Sequence, residues 1–322
     1  MYQASEKAHL FTMVFLQALS LFKFEGDRTM DVISSDGPLG AEISAIDLSK
    51  EISDSERKSV FNAYLDNLVL LFRGQSLSFD DLLRLRELFG SPGLTANQLL
   101  GLGRKKDYPD EVPTEITIIS NLLRDDGRPM GSLGDGEAYW HTDSSFTEKP
   151  ISASLLHAIE VTDEGGETAF LNMYKAYEEM PADLAARIEG QVANHSKVHS
   201  SDGTKRAEFD EPADASQAPG VKHPMVRIHP ATGKKCLYLG RRLNSYVVGL
   251  PLSESETLLD EVWAHTCRER YVWEHKWQAG DLLVWDNRCT MHHRNAFPSH
   301  ARRLMHKSIT AGEAVVASPH IA

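Results

Sequence analysis

Tyr139-Trp140-His141-Thr142-Asp143-Ser144-Ser145-Phe146 is the stretch around which the chain organises itself. On a strand, residues two apart point to the same face. His141 and Asp143 can therefore aim one imidazole nitrogen and one carboxylate oxygen at a common point. Nitrogen together with hard oxygen suits a divalent first-row metal. Two histidines and one carboxylate on one face, with the other positions open, is the facial arrangement that binds non-heme Fe(II). A three-residue motif gains meaning only from its context.

Composition narrows that context. Of 322 residues, 25% are charged and 41% hydrophobic, as in an ordinary soluble globular protein of one large domain or two smaller ones. The formal net charge of −12 and the absence of any Lys/Arg run exclude the basic face of a nucleic-acid binder. Cys236, Cys267 and Cys289 are far apart and form no C-x-x-C, which points to a reducing, cytoplasmic setting without a zinc or disulfide framework. Leu10 to Phe24 is apolar but broken by Gln17, Ser20 and Lys23, so it is too short and interrupted to span a membrane. Ala18-Leu19-Ser20 makes a poor signal-peptide cleavage site. Residues 1–29 are expected to be an extension outside the core, a loosely packed helix upstream of a natural start at Met30. Residues 30–322 then form one domain.

Within that domain, Gly40 to Leu48 reads as a strand, and Ser53-Asp54-Ser55-Glu56 as a capping box opening a helix to about Asn67. The apolar run Leu68 to Arg73 is a buried strand. Ser78 and Asp81 start a helix that Gly90 ends, and residues 91–114 read as loop. Strands follow at Ile116–Ser120, Ile151–Val161 and Glu167–Leu171, then a helical stretch Tyr174–Glu189 punctuated by Pro181. Residues 200–220 lack periodicity and are long enough to form a lid over a pocket. Met225–His229 and Lys235–Leu239 flank the turn Pro230-Ala231-Thr232-Gly233 as a hairpin. Ser253–Glu256 reads as a second capping box for a helix to about Arg268, before strands at Tyr271–Trp277, Asp281–Trp285 and Arg303–Ile309. Many short strands and few helices in the second half predict a barrel or double-sheet jelly roll with the early helices packed outside it.

Trp285-Asp286-Asn287-Arg288-Cys289-Thr290-Met291-His292-His293-Arg294 offers a further histidine, His292 or His293, far along the chain from His141. Arg303 follows at the start of another apolar strand. A guanidinium beside a metal is suited to hold a carboxylate bidentately. A dicarboxylate could chelate the metal at one end and reach Arg303 with the other, and the Thr168 hydroxyl could serve the same carboxylate.

Taken together, Trp140-His141-Thr142-Asp143, Gly165-Gly166-Glu167-Thr168, His223-Pro224 with Arg227-Ile228-His229-Pro230, Trp285-Asp286-Asn287-Arg288 with Thr290-Met291-His292, and Arg302-Arg303 resemble the taurine dioxygenase / 2,4-dichlorophenoxyacetate dioxygenase family of Fe(II)- and 2-oxoglutarate-dependent oxygenases, over roughly residues 38–310. The resemblance implies a mainly β fold with flanking α, a double-stranded β-helix of jelly-roll, cupin-like type. It implies His141, Asp143 and His292 as ligands of Fe(II), since the family histidine follows Thr-x, and Thr168 and Arg303 on the distal carboxylate of 2-oxoglutarate. The expected activity is hydroxylation of a small organic acid (a sulfonate, aryloxyalkanoate or amino-acid-like acid) with O2 as the other cosubstrate and release of succinate and CO2. Taurine dioxygenase meets its substrate sulfonate with an arginine four residues past the cosubstrate arginine. Here that position is Lys307, which shares a strand face with Arg303 and is the expected substrate anchor. A cupin-like metal-dependent binding protein and a zinc hydrolase using the same three ligands are the competing readings. The expected partners are a small anionic substrate and further copies of the chain in a dimer or tetramer, with neither nucleic acid nor membrane.

Overall fold

The structure, a computed structural model, describes residues 30–101 and 111–318. The expectation for residues 1–29 lies outside them. Two facing sheets form the body. The large sheet runs in the order β1 (Asp31–Ser34), β2 (Ala41–Ser44), β3 (Val69–Phe72), β15 (Leu282–Asp286), β7 (Ala153–Glu160), β17 (Leu304–Ile309), β4 (Thr117–Ser120) and β5 (Ser132–Leu133). The small sheet runs β14 (Val272–His275), β8 (Thr168–Asn172), β16 (Thr290–Arg294) and β6 (Ala138–His141). Two three-stranded sheets complete the fold: β10 (Gly220–Pro224), β9 (Val192–Ser196) and β13 (Tyr246–Val247); and β12 (Lys235–Leu237), β11 (Val226–Ile228) and β18 (Val316–Ala317). This is the predicted jelly roll.

Period-two patterning decides which residues enter which core. Along β15, Leu283 and Trp285 point between the two main sheets, with Phe170 of β8 and Met305 of β17. Leu282 and Val284 point the other way, onto Val60 and Tyr64 of α1 (Asp54–Asn67) and Leu82 and Leu85 of α2 (Phe79–Arg86). Strands β3 and β7 divide in the same manner, Leu71 and Leu156 inward, Leu70 and Leu155 toward the helices. A strand covered on both faces needs apolar residues at every position, which is why Leu68–Arg73 is unbroken in the sequence. On β17 the alternation places Arg303, Met305 and Lys307 on the inner side and Leu304 toward the helices.

The Ser53 capping box is present, the Ser53 hydroxyl accepting from Glu56 N and the Glu56 carboxylate from Ser53 N. Several expectations need correction. The second capping box does not form: α6 (Leu252–Thr266) starts behind Pro251, so Ser253 already lies in the first turn and has no cap to make. Helix α2 ends at Arg86 rather than near Gly90, through a tightened turn in which Leu88 N and Phe89 N bond to carbonyls three residues back. The stretch 91–114 is not all loop, because Thr95 caps α3 (Ala96–Leu99) reciprocally with Gln98. The helical stretch after β8 divides at Pro181 into α4 (Met173–Glu178) and α5 (Ala182–Ile188), as read. Strands β9 and β10, which bracket residues 200–220, carry no clean alternation and were not anticipated.

Candidate active site

Strand β16 sits between β8 and β6 and sets His292 opposite Phe170 on one side and His141 on the other. His141 is the last residue of β6, and the chain leaves the strand there: Thr142 N–H donates to the Gly240 carbonyl at 2.9 Å, and Ser144 adopts φ +53°. Asp143 therefore reaches the common point from a turn, not from a continuing strand as the alternation suggested. The ligand atoms of His141, Asp143 and His292 lie within 4.8 Å of one another. His141 Nε2 is 3.5 Å from Asp143 Oδ1, and His292 Nε2 is 3.8 Å from Oδ2.

The surroundings prepare these groups for a cation. His141 Nδ1 lies 2.7 Å from the Tyr139 carbonyl. It must carry the proton there, which leaves the Nε2 lone pair facing the carboxylate. Burial pushes His141 below its ordinary value, and burial with His141 nearby pushes His292 well below, so both are neutral, the ligating form. Burial works against ionisation of Asp143, but the Lys307 ammonium outweighs it and holds the carboxyl well below the usual range. Asp143 Oδ2 also accepts from Ser154 Oγ at 2.9 Å. Ser154 Oγ in turn accepts from Asn287 Nδ2 at 2.9 Å, and Asn287 Oδ1 accepts from the Trp285 indole at 3.0 Å. This relay ties the carboxylate to the β15–β16 turn. Sequence reading quoted Asn287 within its motif but gave it no role, and it missed Ser154, whose hydroxyl acquires meaning only once β7 lies beside the turn.

His293 points to the opposite face, onto Glu137 Oε1 at 2.6 Å and against the Trp140 ring. A second compact group, His229, Asp286 and Cys289, is also buried. His229 Nδ1 accepts N–H bonds from Ala231 and Thr232 at 3.3 and 3.2 Å, so Nε2 holds the proton that it donates to Asp286 at 3.0 Å. No lone pair remains for a metal. With Arg288 bonded twice to Asp286, this group is a lock on the turn that presents His292.

Arg303 stands immediately before β17 with its guanidinium 6.0 Å from the Trp277 ring centre and 5.9 Å from that of Phe297. The Trp277 indole donates to Thr168 Oγ1 at 3.0 Å, which brings Thr168 and Arg303 to the same aromatic wall and leaves the Thr168 hydroxyl hydrogen available. Arg303 is buried, and its Nη1 has no partner among the described residues. Burial, with Arg294 nearby, pushes it down to about 9. A buried cation without its anion is costly to keep, so this site suits a carboxylate brought from outside. Gly166 has φ +72°, and a Cβ there would come within 3.0 Å of Thr162 Cγ2 and 3.5 Å of Arg303 Nε.

Lys307 points inward, as its parity with Arg303 requires. Its ammonium is not free, however: it lies 2.5 Å from Asp143 Oδ2 and 5.3 Å from the centre of the Trp285 ring. A cavity of about 820 Å³ opens on this group and is lined by His141, Asp143 and Lys307, by the unanticipated helix α3, and by Arg206 and Arg241. Residues between 200 and 208 contribute to its wall.

A jelly roll holding a buried His-Asp-His group with an anion-seeking arginine beside it is the architecture of the non-heme iron oxygenases that use 2-oxoglutarate. Residues 32–308 match the taurine catabolism dioxygenase TauD, TfdA family, and the chain belongs to it. It is 31% identical over 280 residues to the alpha-ketoglutarate-dependent 2,4-dichlorophenoxyacetate dioxygenase of Cupriavidus pinatubonensis, covering 86% of this chain and 96% of that one. It is 31% identical to the pentalenolactone F synthase of Streptomyces avermitilis, with 88% and 94% covered. Among solved structures it is similar to a taurine dioxygenase from Burkholderia xenovorans (TM-score 0.71, 28% identity, 89% and 91% covered). It is also similar to AAD-2 in complex with Mn(II) and N-oxalylglycine (TM-score 0.70, 26% identity, 90% and 100% covered). The protein is thus a 2-oxoglutarate-dependent dioxygenase with Fe(II) as cofactor and O2 as the second cosubstrate, and the binding-protein and hydrolase readings are not favoured. No helix among the described residues is long and apolar enough to cross a membrane.

Proposed function

We propose that His141, Asp143 and His292 hold one Fe(II), that Arg303 and Thr168 bind the distal carboxylate of 2-oxoglutarate, and that the enzyme hydroxylates a small organic acid lying in the cavity beside Lys307. The observation that carries this reading is the buried, unpartnered Nη1 of Arg303 on the same side of β17 as the His-Asp-His group. Iron and 2-oxoglutarate would supply the oxidising chemistry, with succinate and CO2 released. The chain's part is to bind, orient and keep dry. The Tyr139 carbonyl fixes the His141 tautomer, the Ser154–Asn287 relay fixes the Asp143 carboxylate, and Trp277 and Phe297 wall Arg303 away from water. Lys307 has three donors, of which Asp143 takes one. The others would meet an anion in the cavity, and residues 200–220 would cover it as a lid.

The substrate class is supported by what similar proteins are named for: 2,4-dichlorophenoxyacetate, (S)-phenoxypropionate and sulfate esters. The test is a succinate-release screen with Fe(II) and 2-oxoglutarate against sulfonates, sulfate esters, aryloxyalkanoates and amino-acid-derived acids. One or more of these acids should accelerate succinate release, and no acceleration by any class would refute the substrate reading. Residence in the cytoplasm and assembly as a dimer or tetramer, without nucleic-acid or membrane partners, belong to the same proposal. The compartment is supported by the free thiols of Cys236, Cys267 and Cys289 and the lack of a nucleic-acid partner by the acidic balance. Light scattering on the purified enzyme tests the assembly.

A further inference from the structure

Two arginines in the cavity wall stand out because neither is in ion-pair contact with a carboxylate of the described residues, although Asp202 and Glu208 lie near Arg206, and Asp143 and Asp202 near Arg241. Arg206 Nη1 donates to the carbonyls of Lys197 and His199 at 2.6 and 2.5 Å. Arg241 Nη1 donates to the same His199 carbonyl. Two guanidiniums therefore converge on one backbone oxygen, and like charges this close repel, the more strongly as water is removed. Among the described residues neither makes an ion pair. Asp202, also in the cavity wall, spends Oδ1 on Ser200 Oγ and on Thr204 N at 3.0 Å. The next residue in the chain shows the contrast: Arg242 turns outward and pairs with Glu256 and Asp260 of α6. Burial, the first cause in each case, pushes Arg206 down and Arg241 down to about 10.

Both guanidiniums are held in place. Arg206 lies over the Phe146 ring, 4.8 Å from its centre. Arg241 forms a β-bridge with His141, so its backbone is coupled directly to that of the proposed metal ligand. The two come from different segments, Arg206 from residues 200–220 and Arg241 from the chain after β12. An anion placed between them would connect the two.

We infer that Arg206 and Arg241 grip the oxyanion head of the substrate, a carboxylate or a sulfur oxyanion, and that filling this grip fastens residues 197–208 over the metal centre. The inference rests on the reading of the cavity as the substrate pocket. Planar forks suit an oxyanion better than the point charge of Lys307, and Lys307 is already engaged by Asp143. Arg206 and Arg241 therefore determine specificity, with Lys307 adding positive charge from the β17 side.

The experiment uses the Mn(II)- and N-oxalylglycine-loaded enzyme with four probes: phenoxyacetate and hexyl sulfate, and their neutral counterparts phenoxyethanol and hexanol. Trypsin cleavage after Lys205 reports whether the segment is fastened. In a parallel assay with Fe(II) and 2-oxoglutarate, succinate release is followed against the concentration of the better acid. At least one anionic probe should protect Lys205 and its neutral counterpart should not. Arg241→Met should abolish that protection. Arg206→Lys and Arg241→Lys, which keep the charge but lose the fork, should raise KM for the acid more than they lower kcat. Full removal in Arg241→Met should raise KM roughly 30-fold or more, the lower end for losing one partner of a buried charge contact. Arg242→Met is the control and should behave as the parent. Equal protection by acids and neutral probes overturns the inference. So does a KM shift under about threefold in Arg241→Met, or a large shift in Lys307→Met with both arginine variants unaffected. Failure of the parent to bind N-oxalylglycine with Mn(II) would overturn the functional reading itself, and with it this inference.

Discussion

Replacing Arg303 by methionine should separate stability from function in opposite directions. The guanidinium is buried, its Nη1 is unpartnered among the described residues, and burial has pushed it down to about 9. Without a bound carboxylate it is a charge held out of water for no return within the fold. Methionine fills similar space between Trp277 and Phe297 without that penalty. The thermal midpoint of the cofactor-free protein should therefore hold or rise. The cosubstrate site should fail, because deleting one partner of a desolvated charge pair costs about 2–5 kcal/mol. At about 1.4 kcal/mol per tenfold, that is roughly a 30- to 4,000-fold loss of affinity. Isothermal titration of N-oxalylglycine into Mn(II)-loaded enzyme reads the loss directly, and Mn(II) affinity itself should be retained because Arg303 is not a ligand. Binding of N-oxalylglycine within about threefold of the parent would refute the assignment. A collapsed midpoint with intact binding would show Arg303 to be a structural residue.

Three further outcomes are expected. His292→Ala should lose Mn(II) binding measured by electron paramagnetic resonance titration, whereas His293→Ala, whose ring faces Glu137, should retain it. Asn287→Ala and Ser154→Ala break the relay to Asp143 and should weaken Mn(II) about 10- to 100-fold with far-ultraviolet circular dichroism unchanged. His306 sits on β17 opposite His157 of β7 and against the Phe79 ring, where burial, then His157, lowers it to about 4. Its folded value lies below its ordinary value of about 6.5, so as pH falls through that interval the unfolded chain takes up the proton first and stability is lost. Urea unfolding of the parent should show that decline between about pH 6.5 and 4, and His306→Gln should lessen it, the buried His141, His157 and His292 supplying the rest.

The apolar runs determined the sheets: Leu68–Phe72 is unbroken because β3 is covered on both faces, and Ile151–Val161 stayed legible although its buried Ser152, Ser154 and His157 are polar. Ser53 and Glu56 marked their helix because a capping box is a local hydrogen-bonding event between residues three apart. The candidate metal and cosubstrate residues were picked out through motifs of unusual residue types, and the fold gathers His141, Asp143 and His292 within 4.8 Å and sets Thr168 and Arg303 against Trp277. What no local pattern contains is which distant groups share one space. Asp143 enters from a turn whose course depends on Gly240, a residue far along the chain. Lys307 looked free on its strand face, and only the approach of Asp143 across the barrel engaged it. Arg206 and Arg241 were given no role, one lying inside the aperiodic stretch 200–220 and the other just past Leu239. Their burial, and their convergence on the His199 carbonyl, come from packing between segments far apart in sequence, and a guanidinium's chemistry depends on the water and anions around it rather than on its neighbours in the chain.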